Sequence, residues 1–425
     1  MTASTRYTPL AVLGWALALL SGRPANAADA SPRSIVNRPV VIHANGPIGA
    51  GTFVVAEIKG TLPPGLYSLK QGDNGTATPA EVFEQAGRTF IALTTDRAEA
   101  DGTGSYTITG QEPSESGRAI APDHLQAKEV PIAAGGKPFA TYLSGDPFKP
   151  YYFPVIGPTG ASFTRAYPMK QVQGEDEDHP HQRSLFFTHG NVNGFDFWAA
   201  DTKNKPNPKF GSIKETARTI VHNGALAAVL RTTDDWVGPN GKKVLEDERV
   251  VAFYSLGKNR VIDFDVTLKA TDGPVTFGDT KEGMFGLRVA SSMDVKSKTN
   301  SGGKIVNAEG LTDDSAWGKA SPWVDYTGPV EGKTVGIAIL NHPDSFRYPT
   351  TWHVRTYGLF AANPFGWHDF GQPRSGEHVL PNGESIRFRY RIILHSGDTA
   401  AANLPAEFQA YAQPPRVEIE AKPER

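Results

Sequence analysis

"NRVIDFDVTLKA", residues 259–270, puts Ile262, Phe264, Val266 and Leu268 on one side and Asp263, Asp265, Thr267 and Lys269 on the other. Side chains alternate along an extended chain. A period of two therefore predicts an antiparallel strand with one apolar face and one polar face. Working outward, "LAAVLRTTDDW", "ERVVAFYSL", "TVGIAILNH" and "SIRFRYRIILHSG" read the same way, and no long 3.6-residue period interrupts them. So many strands over residues 137–397 predict two large stacked antiparallel sheets.

Ahead of this region, residues 37–112 hold shorter runs such as "GTFVVAEI" and "RTFIALTT", broken by "NGPIGAG" and "ADGTG". Turn signals at that spacing predict a small β-sandwich. The fold class expected is all-β, a small N-terminal sandwich followed by a large one. "EPSESGRAIAPD" and "AAGGKP" mark residues 113–136 as a linker, and residues 398–425 read as a loose polar tail.

The first 27 residues carry a secretory pattern. Arg6 precedes a short apolar run from Leu10 to Leu20, and Ala25-Asn26-Ala27 fits a small-x-small cleavage site. Export to the periplasm or beyond is expected, with cleavage near Ala27-Ala28 and a disordered leader over residues 28–36. The apolar run is too short for a membrane anchor, and no later stretch reads as an integral span. The chain has 43 basic and 45 acidic side chains, which is no footprint for nucleic acid. It has no cysteine, so disulfides and thiolate chemistry are excluded and any metal must sit on His, Asp or Glu. No phosphate loop, dinucleotide fingerprint, nucleophile elbow or H-E-x-x-H pair is present.

Three stretches concentrate chemistry. In "DEDHPHQRSLFFTHGNVNGFDFW", residues 176–198, an extended backbone places His179, His181 and Arg183 on one face. Two imidazoles so spaced serve metal, sugar or acid/base sites. Arg183 argues against a simple dication and for an anionic or hydroxyl-rich ligand held in its fork. In "FGDTKEGMFGLRV", residues 277–289, Glu282 is the candidate base and Arg288 its partner, while Gly283 and Gly286 leave room for another backbone or a ligand. In "NHPDSFRYPTTWHVRTYGLFAANPFGWHDF", residues 341–370, His353, Arg355 and Tyr357 alternate on one face, with Trp352 on the other. His342 and Asn363 complete a set of rings and planar donors suited to a sugar.

These stretches, with "YYFPVIGPTGASFTRAYPM" and the closing "RFRYRIILHSGD", resemble a secreted bacterial family labelled "methane oxygenase PmoA-like" over most of residues 150–397. Gln182 stands where another histidine is common in that family. Methane oxidation does not transfer, because the chain has no hydrophobic spans and no Cys- or Met-rich ligation. What the resemblance implies is a mutarotase-like β-supersandwich that handles sugars. The reading is a carbohydrate-active enzyme working by hydrolysis, elimination or epimerisation. Glu282 is its base and His181 or His353 its acid. His179, Arg183, Arg288, His342, Trp352, Arg355, Tyr357 and Asn363 bind substrate, and no cofactor is expected. Two alternatives stay open: a divalent-metal enzyme built on His179 and His181, and a non-catalytic glycan-binding protein.

Overall fold

The computed structural model describes residues 37–419 apart from 44–48, 61, 73, 97–102, 114–116 and 299–301. The expected signal segment and leader lie outside the described residues. The alternation of residues 259–270 becomes the strand Arg260–Lys269, whose even-numbered side chains from Ile262 to Leu268 are all buried. It pairs antiparallel with Lys243–Tyr254 on one side and Ser385–Ser396 on the other, near the middle of an eight-stranded sheet.

A seven-stranded sheet faces it. In spatial order its strands are Trp352–Val354, Leu359–Ala362, Gly283–Arg288, Leu185–His189, Tyr151–Val155, Lys137–Leu143 and Glu129–Ala134. The two sheets meet ring to ring. Phe285 of the seven-stranded sheet lies 5.1 Å from Phe264 and stacks on Tyr390 at 4.6 Å, both from the eight-stranded sheet. A charged knot also lies in this interior. Arg249 donates to both oxygens of Asp247, which accepts from the Trp236 indole as well. The expected all-β architecture, a small N-terminal β-region before a large antiparallel sandwich, is therefore what the chain adopts.

Its boundaries need correction. Glu129–Ala134, inside the stretch read as a linker, is an edge strand of the seven-stranded sheet. Gly135 and Gly136, at φ +62° and +68°, make the two-residue turn into Lys137–Leu143. Left-handed glycines at both central positions are what such a hairpin requires. The tail read as loose holds the helices Thr399–Ala402 and Leu404–Ala412 and the strand Arg416–Ile419. That last strand pairs with Pro39–His43 and with Phe53–Lys59, so the N-terminal strands form a closed seven-stranded barrel.

The barrel sits on the outer face of the eight-stranded sheet. Phe53 and Phe83 of the barrel pack with Ala252, Tyr254 and Ile393 of the sheet and with Leu404 and Tyr411 of the helix. Buried Glu81 accepts from the Leu226 N–H at 2.7 Å and lies 2.8 Å from His222 Nε2, while Glu407 accepts from the Phe53 N–H. No helix among the described residues is long and apolar enough to cross a membrane.

Candidate active site

The outer face of the seven-stranded sheet, opposite the barrel, carries Phe186, Trp198, Leu359 and Ala361. Over it lies a cleft of about 370 Å³ lined by His179, His181, Gln182, Trp198, Ala199, Lys281, Glu282, His353, Arg355 and Tyr357. Glu282, His181 and His353, the three candidate catalytic residues, thus come together from segments far apart in the chain, with His179, Arg355 and Tyr357 beside them.

The histidine segment is not the strand expected from its alternation. Residues 180 and 181 form a turn, His179 has φ +42°, and the strand starts only at Leu185. The buried guanidinium of Arg165 enforces this shape by donating to the Asp178 carboxylate at 2.5 Å and to the backbone carbonyls of Asp176, Asp178 and His179. His179 then lies with Nδ1 2.9 Å from Asp178 and its ring stacked on Tyr357, centroids 5.1 Å apart. Burial raises the Asp178 carboxyl, but the His179 hydrogen bond and the guanidiniums of Arg288 and Arg165 outweigh it and hold the group well below the usual range.

Each of the two buried imidazoles is locked at one nitrogen. Asn204 Nδ2 lies 2.6 Å from the Ala199 carbonyl, which fixes that atom as the amide nitrogen; it also donates to His181 Nδ1 at 3.2 Å. The Trp317 indole, which can only donate, bonds His353 Nδ1 at 3.0 Å. In both neutral rings the proton therefore sits on Nε2, for which no protein partner is present among the described residues. Burial drives the His181 pKa down to about 2, helped by Lys149, His179, Arg165 and Arg288. Burial, then Arg355 and Lys281, lower that of His353 to about 3. Both rings stay neutral over the ordinary pH range.

Glu282 is placed by its neighbours' backbone. Gly190 donates its N–H to the Glu282 carbonyl at 2.7 Å. A Cβ on Gly190 would stand 2.8 Å from the Glu282 Cβ. Thr280 Oγ1 accepts from the Glu282 N–H, and the Thr280 carbonyl accepts from Asn363 Nδ2. Burial pushes the Glu282 carboxyl above its usual range, against the pull of Lys281, whose Nζ is 3.6 Å away.

Five expected substrate-binding residues do not line the cleft. Arg183 turns into a buried ion cluster with Asp146 and Asp201. Arg288 lies wholly buried behind Tyr357, bonding Gln182 Oε1 at 2.6 Å and Asp178 at 3.0 Å. His342 is on the barrel side of the sandwich, its ring 4.9 Å from Tyr411. Trp352 is in the core and donates to the Ser321 carbonyl. Asn363 is a brace, also accepting from the N–H groups of Phe365 and Gly366. In each case a buried polar group has found a protein partner, as burial demands. The room left by Gly283 and Gly286 is taken by the chain's own His189 and Phe186.

Sequence reasoning missed Asn204, Trp317, Lys281 and Lys149. The last is fully buried, donating to the carbonyls of His181 and Trp198. None sits in a periodic pattern, so no local signal marks them. For the metal alternative, no group of three or more His, Asp or Glu is placed to hold an ion among the described residues. His179 spends Nδ1 on Asp178.

No curated protein matches the chain. Among solved structures it is similar to a protein in the Glycosyl Hydrolase Family 38 from Enterococcus faecalis, with 11% identity, 91% of this chain and 48% of that one covered, and a TM-score of 0.43. It is also similar to an alpha-mannosidase from Enterococcus faecalis V583, with 10% identity, 91% and 46% covered, and a TM-score of 0.44. A galactose mutarotase related enzyme from Lactobacillus acidophilus has 11% identity, 67% and 97% covered, and a TM-score of 0.24. The chain spans less than half the length of the two Enterococcus proteins. Residues 129–409 match the model of a family of unknown function, DUF6807, and the chain belongs to that family.

Proposed function

We propose that the protein is a carbohydrate-active enzyme whose cleft performs proton-transfer chemistry on a sugar. The observation that carries this reading is the meeting of Glu282 with two imidazoles, each locked to present an Nε2–H. A carboxyl with a raised pKa takes or gives a proton near neutral pH more readily than an ordinary one. The neutral Nε2–H groups serve as fixed donors to an oxygen that gains charge as the reaction proceeds. His181 and His353 therefore polarise the substrate, and Glu282 moves the proton. Partly exposed His179, backed by its stacking on Tyr357, offers a ring face to the apolar side of a sugar, while Trp198 is buried beneath the cleft. The export pattern of residues 1–27 puts this chemistry in the periplasm or outside the cell.

The test is turnover of a broad oligosaccharide panel by the full chain and by Glu282→Gln. Loss of about 10²- to 10⁴-fold in rate is expected, with an unchanged melting temperature. Wild-type rates in Glu282→Gln would remove the carboxylate from the mechanism. Glycan binding without turnover in the wild type would make the protein a lectin.

A further inference from the structure

The cations in and under the cleft are nearly all engaged. Arg165 and Arg288 share Asp178. Arg183 is held by Asp146 and Asp201. Lys149 bonds two carbonyls, and Lys281 stands beside Glu282. Arg355 differs. Among the described residues no acidic group pairs with it, although it lines the cleft and is only partly buried.

Its setting is nevertheless built. The Arg355 N–H donates to the Leu359 carbonyl at 2.7 Å, and its carbonyl accepts from the Gly358 N–H at 3.0 Å and from the Tyr326 hydroxyl at 3.2 Å. The guanidinium lies against two rings, 5.5 Å from the Trp317 centroid and 5.5 Å from that of Tyr357. Rings on which the planar group can rest restrict its orientation, so less freedom is lost when its fork closes on a ligand. Trp317 is also the residue that locks His353, which couples the fork's place to that of a reacting group.

On the sugar reading given above, we propose that the ligand carries an anionic oxygen group, a carboxylate or a sulfate ester, and that Arg355 holds it. A guanidinium fork matches two oxygens of either group. Lys281, 3.6 Å from Glu282, offsets that carboxylate's repulsion of an anionic ligand.

Isothermal titration of the full chain, with Glu282→Gln as background to stop turnover, tests this. The probes are an oligogalacturonate, a sulfated galacto-oligosaccharide and a neutral galacto-oligosaccharide of equal length. At least one acidic probe should bind about tenfold or more tighter than the neutral one, and which one does names the group. Arg355→Met should erase that margin, and Arg355→Lys should restore only part of it. Arg355→Gln serves if the methionine variant does not fold. Neutral binding equal to or tighter than both acidic probes overturns the proposal and leaves the sugar reading standing. So does a margin that survives loss of Arg355. If none of the three probes binds, both readings fall.

Discussion

The indole N–H of Trp317 and the Nδ1 of His353 are 3.0 Å apart, and that single bond decides which side of the imidazole carries the proton. Trp317→Phe keeps a ring near Phe370 and His353 but removes the donor. The proton of His353 should then divide between its two nitrogens, which long-range ¹⁵N–¹H correlation spectra read directly. Turnover should fall about tenfold, the scale of one hydrogen bond. A spectrum still showing only the Nε2–H form would mean that something other than Trp317 sets the tautomer.

The interior charges answer to a different logic. Arg249 and Asp247 are nearly inaccessible, Nη2 to Oδ2 is 2.7 Å, and Asp234 lies 3.5 Å from Nε. Arg249→Met fills similar space but strands two carboxylates between the sheets. Removing one member of such a set costs about 3–5 kcal/mol. Urea unfolding of the variant should show a loss of that order. A loss below about 1 kcal/mol would mean that the carboxylates find other partners or take up protons at little cost.

Glu407 sets a pH dependence. Burial raises its carboxyl to about 7, against the opposing pull of Arg391 and the Phe53 N–H. The folded protein holds this proton more tightly than the unfolded chain does. Its contribution is therefore full below the ordinary glutamate range and is lost as pH climbs to about 7, after which it is flat. Glu407→Gln should melt with a flatter pH profile between about 4.5 and 7 than the wild type. Identical profiles would show that Glu407 does not titrate in that window.

What was legible in the chain follows from distance along it. Alternation is local, so Ile262 to Leu268 could be assigned to a face correctly. His353, Arg355 and Tyr357 do line one cleft, but the strand ends at Val354 and a turn over residues 355–358, not alternation, brings the last two there. Glu282 stood out because of the small and apolar residues around it. Arg183 could not be placed, since its partners Asp146 and Asp201 come from other loops. The same holds for the turn at His179, which Arg165 imposes from another segment. His342 and Trp352 had the right chemistry for a sugar site, but sheet pleating and the docked barrel gave them other work.

The strand Arg416–Ile419 closes a barrel whose other strands all lie before residue 114. During synthesis the ribosome therefore releases Pro39–His43 and Phe53–Lys59 long before the strand that joins them exists. Both wait as open edges, available to any passing chain, while the sandwich encoded between the sixth barrel strand and Arg416–Ile419 emerges. The barrel is thus begun before the sandwich and finished after it, and its integrity reports that synthesis has passed Ile419.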